Sequence, residues 1–195
     1  QDISADHARA AVDLHVTVDP GPPAVYGWVN VTGASGLSTG TIADQSKLAP
    51  GKRYDARDIS KARERLRKLE SIESVRVVEG SHVDQSGGIP MTLEVTERKP
   101  RYFGATASMS TLDGAEVHAY WGHRNLFGDG ERLRVDGTVS QIGENSIEDS
   151  NFKLGVEFTR PGILDIDTDL FTEFRVEREQ PDAYESRFVK MRTGL

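Results

Sequence analysis

The 195-residue sequence is informative first through what it lacks. It contains no cysteine, which excludes disulfides and thiolate metal sites. No apolar run approaches the roughly 20 residues that a membrane-spanning helix requires, so any membrane crossing would have to be built from strands. The 24 Lys and Arg are outnumbered by 31 Asp and Glu, and the net charge of −7 argues against nucleic acid as the partner.

The stretch 121–133 separates two patterns and organises the chain. On its upstream side residues 116–121 alternate polar with apolar or aromatic side chains, and on its downstream side residues 131–139 alternate again. The Gly-Asp-Gly tripeptide at 128–130 suits a chain reversal, because glycine adopts φ > 0 without a clash and Asp bonds its own backbone. The stretch therefore predicts a turn between two strands.

The start of the chain predicts a single strand followed by a boundary. Residues 10–18 alternate with their apolar side chains on one face, and the residues before them offer no predicted partner. Three prolines within residues 19–23 then end the strand, because proline donates no backbone hydrogen bond. We expect a domain boundary there.

The next part of the chain predicts the order β-α-α-β-β. A strand at 25–31 precedes a short helix near 39–45 and a longer helix that Asp55 caps, and two strands follow at 75–78 and 91–96. Two helices that cover one face of a three-stranded sheet make a compact α+β domain. The longer helix carries an apolar stripe, which consists of Ile59, Ala62, Leu66 and Leu69.

The C-terminal half contains six strand-like segments, at 102–109, 115–122, 131–140, 151–160, 167–178 and 184–192. These segments have apolar side chains on one face and charged side chains on the other. This pattern fits an outer-membrane barrel, but the strands of a soluble sandwich alternate in the same way. The connections favour the barrel, because those at 123–130 and 161–163 are compact whereas the acidic loop at 141–150 is long. The predicted apolar face holds Val117, Ala119, Trp121, Leu133, Val135, Gly137, Val139, Phe152, Leu154, Val156 and Phe158, and the opposite face His118, Arg132, Arg134, Asp136, Lys153 and Glu157.

Several motifs resemble, in order and spacing, those of the outer-membrane assembly and translocation family that includes BamA and TamA. The most specific is the His-Arg-Asn-Leu-Phe-Gly turn at 123–128, which is similar to the first periplasmic turn of the family's barrels. In the α+β part the matching segments are 20–22, 31–33, 48–54, 66–69 and 97–101, which resemble a POTRA domain. Among the strands they are 101–104, 110–114, 123–128 and 158–162.

The resemblance implies an α+β POTRA domain (β-α-α-β-β) followed by an all-β antiparallel meander that forms the N-terminal part of a transmembrane β-barrel. Residues 1–20 would hold the last strand of a preceding POTRA domain and a linker, residues 21–100 the POTRA domain, and residues 101–195 about six barrel strands. Family barrels have more strands and a late-loop Arg-Gly-Phe/Tyr motif that these residues do not contain. We therefore expect a truncated barrel.

In function, the resemblance implies a non-enzymatic outer-membrane assembly or translocation factor of a Gram-negative bacterium, without a cofactor. Its POTRA domain, in the periplasm, would receive unfolded outer-membrane protein or autotransporter clients, and its barrel edge would template their insertion among outer-membrane lipid. An inner-membrane-anchored partner of the TamB kind or barrel-assembly lipoproteins would be further partners. The alternative is a two-partner-secretion-like transporter or a passive channel of the same superfamily.

The resemblance also implies where clients bind, because the family is thought to pair client strands with free sheet edges. One expected edge consists of Tyr102, Phe103, Gly104, Ala105, Thr106, Ala107, Ser108 and Met109. The other consists of Val75, Arg76, Val77 and Val78. The periplasmic turn motif comprises His123, Arg124, Asn125, Leu126, Phe127 and Gly128.

The sequence predicts no catalytic or metal site. Glu116 and His118 share a predicted strand face near His123, but no third ligand in a set geometry is evident, so polarity of a barrel lumen explains them better. The carboxylate pairs at 165/167 and 148/149 lie in predicted loops and indicate solvated charge rather than acid–base catalysis.

Overall fold

The computed structural model describes residues 2–6, 11–15, 23–85, 87–111, 114–142, 150–179 and 186–195. Within these ranges the strands form a two-stranded, a three-stranded and a six-stranded sheet. Neither helix in the described part of the chain has the length and apolar character needed to span a membrane.

The chain begins with a hairpin. Strand β1 (Asp2–Asp6) pairs antiparallel with β2 (Ala11–His15), with Asp2 opposite His15. The prediction that the strand at 10–18 has no partner before it is therefore wrong. The sequence of β1, Asp-Ile-Ser-Ala-Asp, gives no strand signal, because it is short and rich in residues with low strand propensity. The part of the predicted strand beyond His15 lies outside the described residues.

The β-α-α-β-β order is confirmed, and β5 lies at the centre of its sheet. Strand β5 pairs parallel with β3 on one side and antiparallel with β4 on the other. Each helix begins after a capping side chain, because Ser38 accepts from Thr41 N and Asp55 accepts from Arg57 N. In chain order the elements are β3 (Val25–Thr32), α1 (Thr39–Ser46), α2 (Ala56–Lys68), β4 (Ile72–Glu79) and β5 (Gly88–Glu97).

The predicted helix stripe forms the centre of the core. Ile59, Ala62, Leu66 and, at the C-cap, Leu69 are all buried. Burying a leucine side chain contributes roughly 1.5–3 kcal/mol, so the stripe holds α2 on the sheet. The rest of the core consists of Tyr26, Leu37, Ile42, Leu48, Ile72, Met91, Leu93 and Val95.

Six antiparallel strands follow as a meander, in which each strand pairs with its neighbours in the chain. The meander is open, with the first and last of these strands at its two edges. This confirms the predicted all-β part. The strands are β6 (Arg101–Ser110), β7 (Gly114–His123), β8 (Arg132–Ile142), β9 (Asn151–Arg160), β10 (Leu170–Glu179) and β11 (Ser186–Gly194).

Some predicted boundaries of these strands are wrong. Glu131 precedes β8, and β8 continues through Gln141 and Ile142, which were assigned to the acidic loop. Residues 167–169 belong to the turn before β10, so that turn is longer than the predicted 161–163. Its extra length comes from Asp side chains that bond the backbone: Asp165 Oδ1 accepts from Asp167 N at 2.8 Å. Residues 143–149 of the acidic loop lie outside the described residues.

The strand register confirms the predicted faces. Trp121 lies opposite Val135, which lies opposite Val156. On the other face Arg134 lies opposite Glu157. Because successive side chains of a strand point to opposite sides, all six strands present one mainly apolar and one mainly polar face.

Candidate functional site

Both segments predicted to pair with clients are parts of edge strands. Strand β6 contains Tyr102 to Met109 and pairs only with β7 in the described part of the chain. Its apolar-face side chains Phe103 and Met109 are 84% and 88% exposed. Strand β4 contains Val75 to Val78 and forms one edge of the α+β sheet. The two edges lie in different sheets, so the structure does not join them into one site.

A ladder of rings and cations lies on the polar face near the start of β6. The ring of Tyr120 crosses Gly104, and the ring of Tyr102 crosses Gly122; a Cβ at either glycine would come within 2.5 Å of the tyrosine ring. The two tyrosine rings are 6.1 Å apart. The guanidinium of Arg124 lies 4.1 Å from the Tyr102 centroid, so the turn motif packs against the edge strand.

The turn between β7 and β8, residues 124–131, is held by its own side chains and is called the first turn below. Asn125 Oδ1 accepts from Gly130 N at 2.9 Å. The buried carboxylate of Glu131 accepts from Phe127 N at 3.3 Å and Asp129 N at 3.1 Å. The predicted turn is therefore present, and Glu131 organises it from within.

The first turn also contacts the α+β domain. Gly128 O accepts from Ser38 N at 2.7 Å, and Asp129 Oδ1 accepts from Thr41 Oγ1 at 2.5 Å, so the turn lies at the start of α1. Just beyond it, Arg132 Nη1 binds Glu70 Oε1 at 2.7 Å. The motif predicted from sequence thus belongs to a junction between the two parts of the chain.

The turn between β9 and β10, residues 161–169 and called the second turn, contacts the other end of α1. Lys47 Nζ binds Asp167 Oδ2 at 2.6 Å, and Arg65 Nε lies 3.9 Å from Oδ1. The hydrogen bond from Lys47 lowers the pKa of Asp167. Both carboxylates lie in a turn, as predicted; Asp167 remains exposed while it binds Lys47, and Asp165 folds the turn itself. Glu148 and Asp149 lie outside the described residues.

The exit from the α+β domain is fixed by Glu97. Its carboxylate accepts from the backbone N–H groups of Ser35 (2.8 Å), Gly36 (3.0 Å) and Leu37 (2.9 Å). Burial alone would raise the pKa of Glu97, but these hydrogen bonds outweigh it and the pKa is lowered. The last residue of β5 is thereby tied to the loop that leads into α1.

The edge strand β4 has its own tie at its C-terminal end. Tyr54 Oη donates to Glu79 Oε2 at 2.6 Å, and this hydrogen bond raises the pKa of Tyr54 to about 12. The ring of Tyr54 lies 5.5 Å from that of the buried Tyr26. The contact joins the end of β4 to the segment before α2.

Among the described residues, no group of three or more His, Asp or Glu side chains is placed to hold a metal ion. Glu116 and His118 lie on the polar face of β7. His123 lies on the apolar face, with its ring centroid 6.4 Å from that of Trp121. The sequence reasoning missed the junction residues Glu97, Glu131 and Lys47. For Glu131 a signal was present, since the acidic residue directly follows Gly-Asp-Gly and can reach the turn's N–H groups.

Comparisons with known proteins agree with this geometry. Residues 24–98 match the POTRA family, described as a surface antigen variable number repeat. The fold is similar to that of BamA from Haemophilus ducreyi lacking POTRA domains 1–3, with a TM-score of 0.73, 15% identity, and coverage of 97% of this chain and 35% of that one. No curated protein matches the sequence significantly.

Two further solved structures are similar. CdiB from Acinetobacter baumannii gives a TM-score of 0.58 at 11% identity, covering 86% of this chain and 32% of that one. CdiB from Escherichia coli gives a TM-score of 0.53 at 17% identity, covering 86% of this chain and 31% of that one. The chain thus spans about a third of the length of the solved structures that it matches. Residues 24–98 therefore form a POTRA domain, and the chain as a whole shares the fold of the part of BamA that it matches, with this domain followed by an antiparallel strand meander.

Proposed function

We propose that this chain is part of a non-enzymatic factor that inserts or translocates proteins at the outer membrane of a Gram-negative bacterium, with its POTRA domain in the periplasm. The observation that carries the proposal is the edge strand β6. Among the described residues its backbone pairs with β7 on one side only, and Phe103 and Met109 on its apolar face are almost fully exposed. An incoming strand with the same alternation could pair with the backbone N–H and C=O groups on the open side of β6. Its apolar side chains would then extend the apolar face.

Strand addition at an edge draws its affinity from main-chain hydrogen bonds, and the alternate side chains give specificity. Client sequences of many kinds can therefore share one edge. Strand β4, at the edge of the POTRA sheet, is proposed as an earlier contact for the same unfolded outer-membrane protein or autotransporter clients. We further propose an inner-membrane-anchored partner or barrel-assembly lipoproteins as partners of the POTRA domain.

The junction contributes orientation to this mechanism. Both described turns contact α1, the first through Ser38 and Thr41 and the second through Lys47. Glu97 ties the end of β5, which leads directly into β6, to the loop before α1. A client held at the POTRA domain would therefore be presented at a fixed distance from the β6 edge.

Cysteine crosslinking in the full-length protein tests the proposal. Single cysteines at Phe103, Ala105 and Ala107 on β6 are expected to capture nascent barrel strands during client synthesis. Matched cysteines at Val135 and Val139 lie on the same face of β8, which has a neighbour on both sides, and are expected to capture none. Equal capture at both strands, or no adduct along β6, would contradict the proposal.

A second candidate is conduction of a substrate through the lumen, as in a two-partner-secretion-like transporter or passive channel. It is favoured by the ion pairs of the polar face, where Glu173 binds Arg175 at 2.6 Å and Arg192 at 2.5 Å. Such alternating charge suits a water-filled interior. Planar-bilayer recordings separate the two candidates: a stable open conductance without crosslinks along β6 would favour transport.

A further inference from the structure

A cleft of about 580 Å³ lies between the POTRA exit and the first turn. Glu97 and the loop at residues 35–36 form one wall, and His123 with residues 125–128 forms the other. Arg98, Lys99 and Pro100 line it, and the next residue is Arg101, the first residue of β6. All three cationic side chains are exposed.

The cleft lies at the turn-side end of the apolar face. Arg101 is opposite His123 in the register, and one step along the same face Phe103 is opposite Trp121. Phe127, on the cleft wall, packs its ring 6.5 Å from that of Phe158 on this face. A molecule in the cleft would therefore have cations on one side and an apolar surface above it.

The local charge of the cleft is positive although the chain as a whole is acidic. Among the described residues that line it, Glu97 alone carries a carboxylate, which accepts from three backbone N–H groups. The guanidinium of Arg124 is also engaged, since it donates to Lys99 O at 2.9 Å and stacks on Tyr102. Arg98, Lys99 and Arg101 have no ion-pair partner among the residues that the structure describes.

We propose that this cleft binds the phosphodiester headgroup of an anionic phospholipid in the periplasmic leaflet, with its acyl chains along Phe103 and Trp121. The inference rests on the proposed function, because it requires the apolar face to lie in the membrane. Charge complementarity selects an anionic lipid: three cations without carboxylate partners favour a headgroup that lacks the ammonium of a neutral lipid.

A lipid in this site would place an anionic headgroup next to the periplasmic end of strand β6. Aromatic side chains at the membrane interface and cations just outside it are a common pair in barrels and at membrane surfaces. Each Lys or Arg near an anionic surface contributes about fivefold in binding. Loss of all three is therefore expected to weaken the lipid preference by about a hundredfold.

The test uses the full-length protein in nanodiscs of phosphatidylcholine into which phosphatidylglycerol is titrated, with retained lipids measured by native mass spectrometry. The test variant is Arg98→Gln/Lys99→Gln/Arg101→Gln. The control variant, Arg63→Gln/Arg67→Gln/Lys68→Gln, removes the same charge from exposed positions of α2. Heat-modifiable gel migration of both variants shows that the barrel is folded.

The wild type and the control are expected to retain phosphatidylglycerol preferentially, and the test variant is expected to lose this preference. An unchanged preference in the test variant overturns the proposal, as does displacement of the lipid by inorganic phosphate at equal concentration. Protein that enters the bilayer without any lipid preference overturns this inference alone. Protein that does not enter the bilayer overturns the proposed function with it.

Discussion

Glu97 and Glu131 each use a carboxylate to hold backbone N–H groups of a loop. Glu97 binds three consecutive N–H groups, and Glu131 binds two within the first turn. Hydrogen bonds to a charged group contribute roughly 1.5–3 kcal/mol, and loops that lose them leave donors without partners. Glu97 acts within the POTRA domain and Glu131 within the first turn, so a change at either is expected to loosen the loop that it holds.

Acid is expected to release the loop that Glu97 holds. Its pKa is lowered from the ordinary value of 4.5, so its contribution is fully present above that value and is lost as the pH falls through the lowered pKa. Hydrogen-exchange protection of the Ser35, Gly36 and Leu37 amides, corrected for the intrinsic rate at each pH, should therefore fall below about pH 4.5. The Glu97→Gln control should show weaker protection at neutral pH and little change with acid. The same acid dependence in the wild type and in the Glu97→Gln control would count against this assignment.

Among the elements, α2 is expected to decide whether the POTRA domain folds alone. Leu66 is fully buried, and an Asp in its place would leave an unpaired charge in a small core. We expect Leu66→Asp in residues 20–100 to destabilise the domain by at least about 3 kcal/mol, measured by urea unfolding. The exposed Arg63→Asp change on the same helix should cost less than about 1 kcal/mol. Similar midpoints for the two variants would refute the assigned core.

The faces of β8 give a second prediction at this scale. Val135 lies in the apolar row between Trp121 and Val156, whereas Arg134 lies opposite Glu157 on the polar face. In the complete barrel in lipid, Val135→Arg should cost roughly 2–4 kcal/mol if it lies near the bilayer midplane, because lipid cannot solvate the cation. Arg134→Ala should lower the free energy of unfolding only slightly. Equal shifts in the unfolding free energies of the two variants would show that the faces are misassigned.

The elements predicted best from the sequence are those whose pattern repeats within the element. The alternation of apolar and polar side chains predicts β7, β8 and β9 together with their faces. The helical spacing of the apolar residues from Ile59 to Leu69 predicts α2. Contacts between distant elements carry no such local signal. Lys47 and Asp167 bind each other across 120 positions of sequence, and neither residue's neighbours indicate the other. Strand β1 is not predicted either, because its five residues have low strand propensity and show no clear alternation.

At the scale of the whole molecule, the POTRA domain and the strands share a polar junction. Thr41, Lys47 and Glu70 of the α+β domain each contact a turn or the strand end beside it. Lys47 and Asp167 are both substantially exposed, and surface ion pairs typically contribute less than 1 kcal/mol. The junction therefore defines an orientation through several weak contacts, while Glu97 fixes the exit strand within the POTRA domain.

The open sheet gives the last prediction, which concerns residues 1–195 on their own. Strands β6 and β11 each present a row of backbone groups without a strand partner among the described residues, and an edge of this kind promotes pairing with another chain. The apolar face is also exposed, and contiguous exposed apolar patches beyond about 300–600 Å² are uncommon on monomeric soluble proteins.

We therefore expect residues 1–195 to associate in detergent-free buffer, by edge pairing or by packing of their apolar faces, and to disperse when detergent covers that face. Light scattering and binding of a hydrophobic dye measure both effects. The POTRA fragment 20–100 is the control, since its apolar side chains are gathered in a closed core, and it should stay monomeric. A stable monomer of residues 1–195 that binds no dye in buffer would contradict the prediction and also the assignment of the apolar face to lipid.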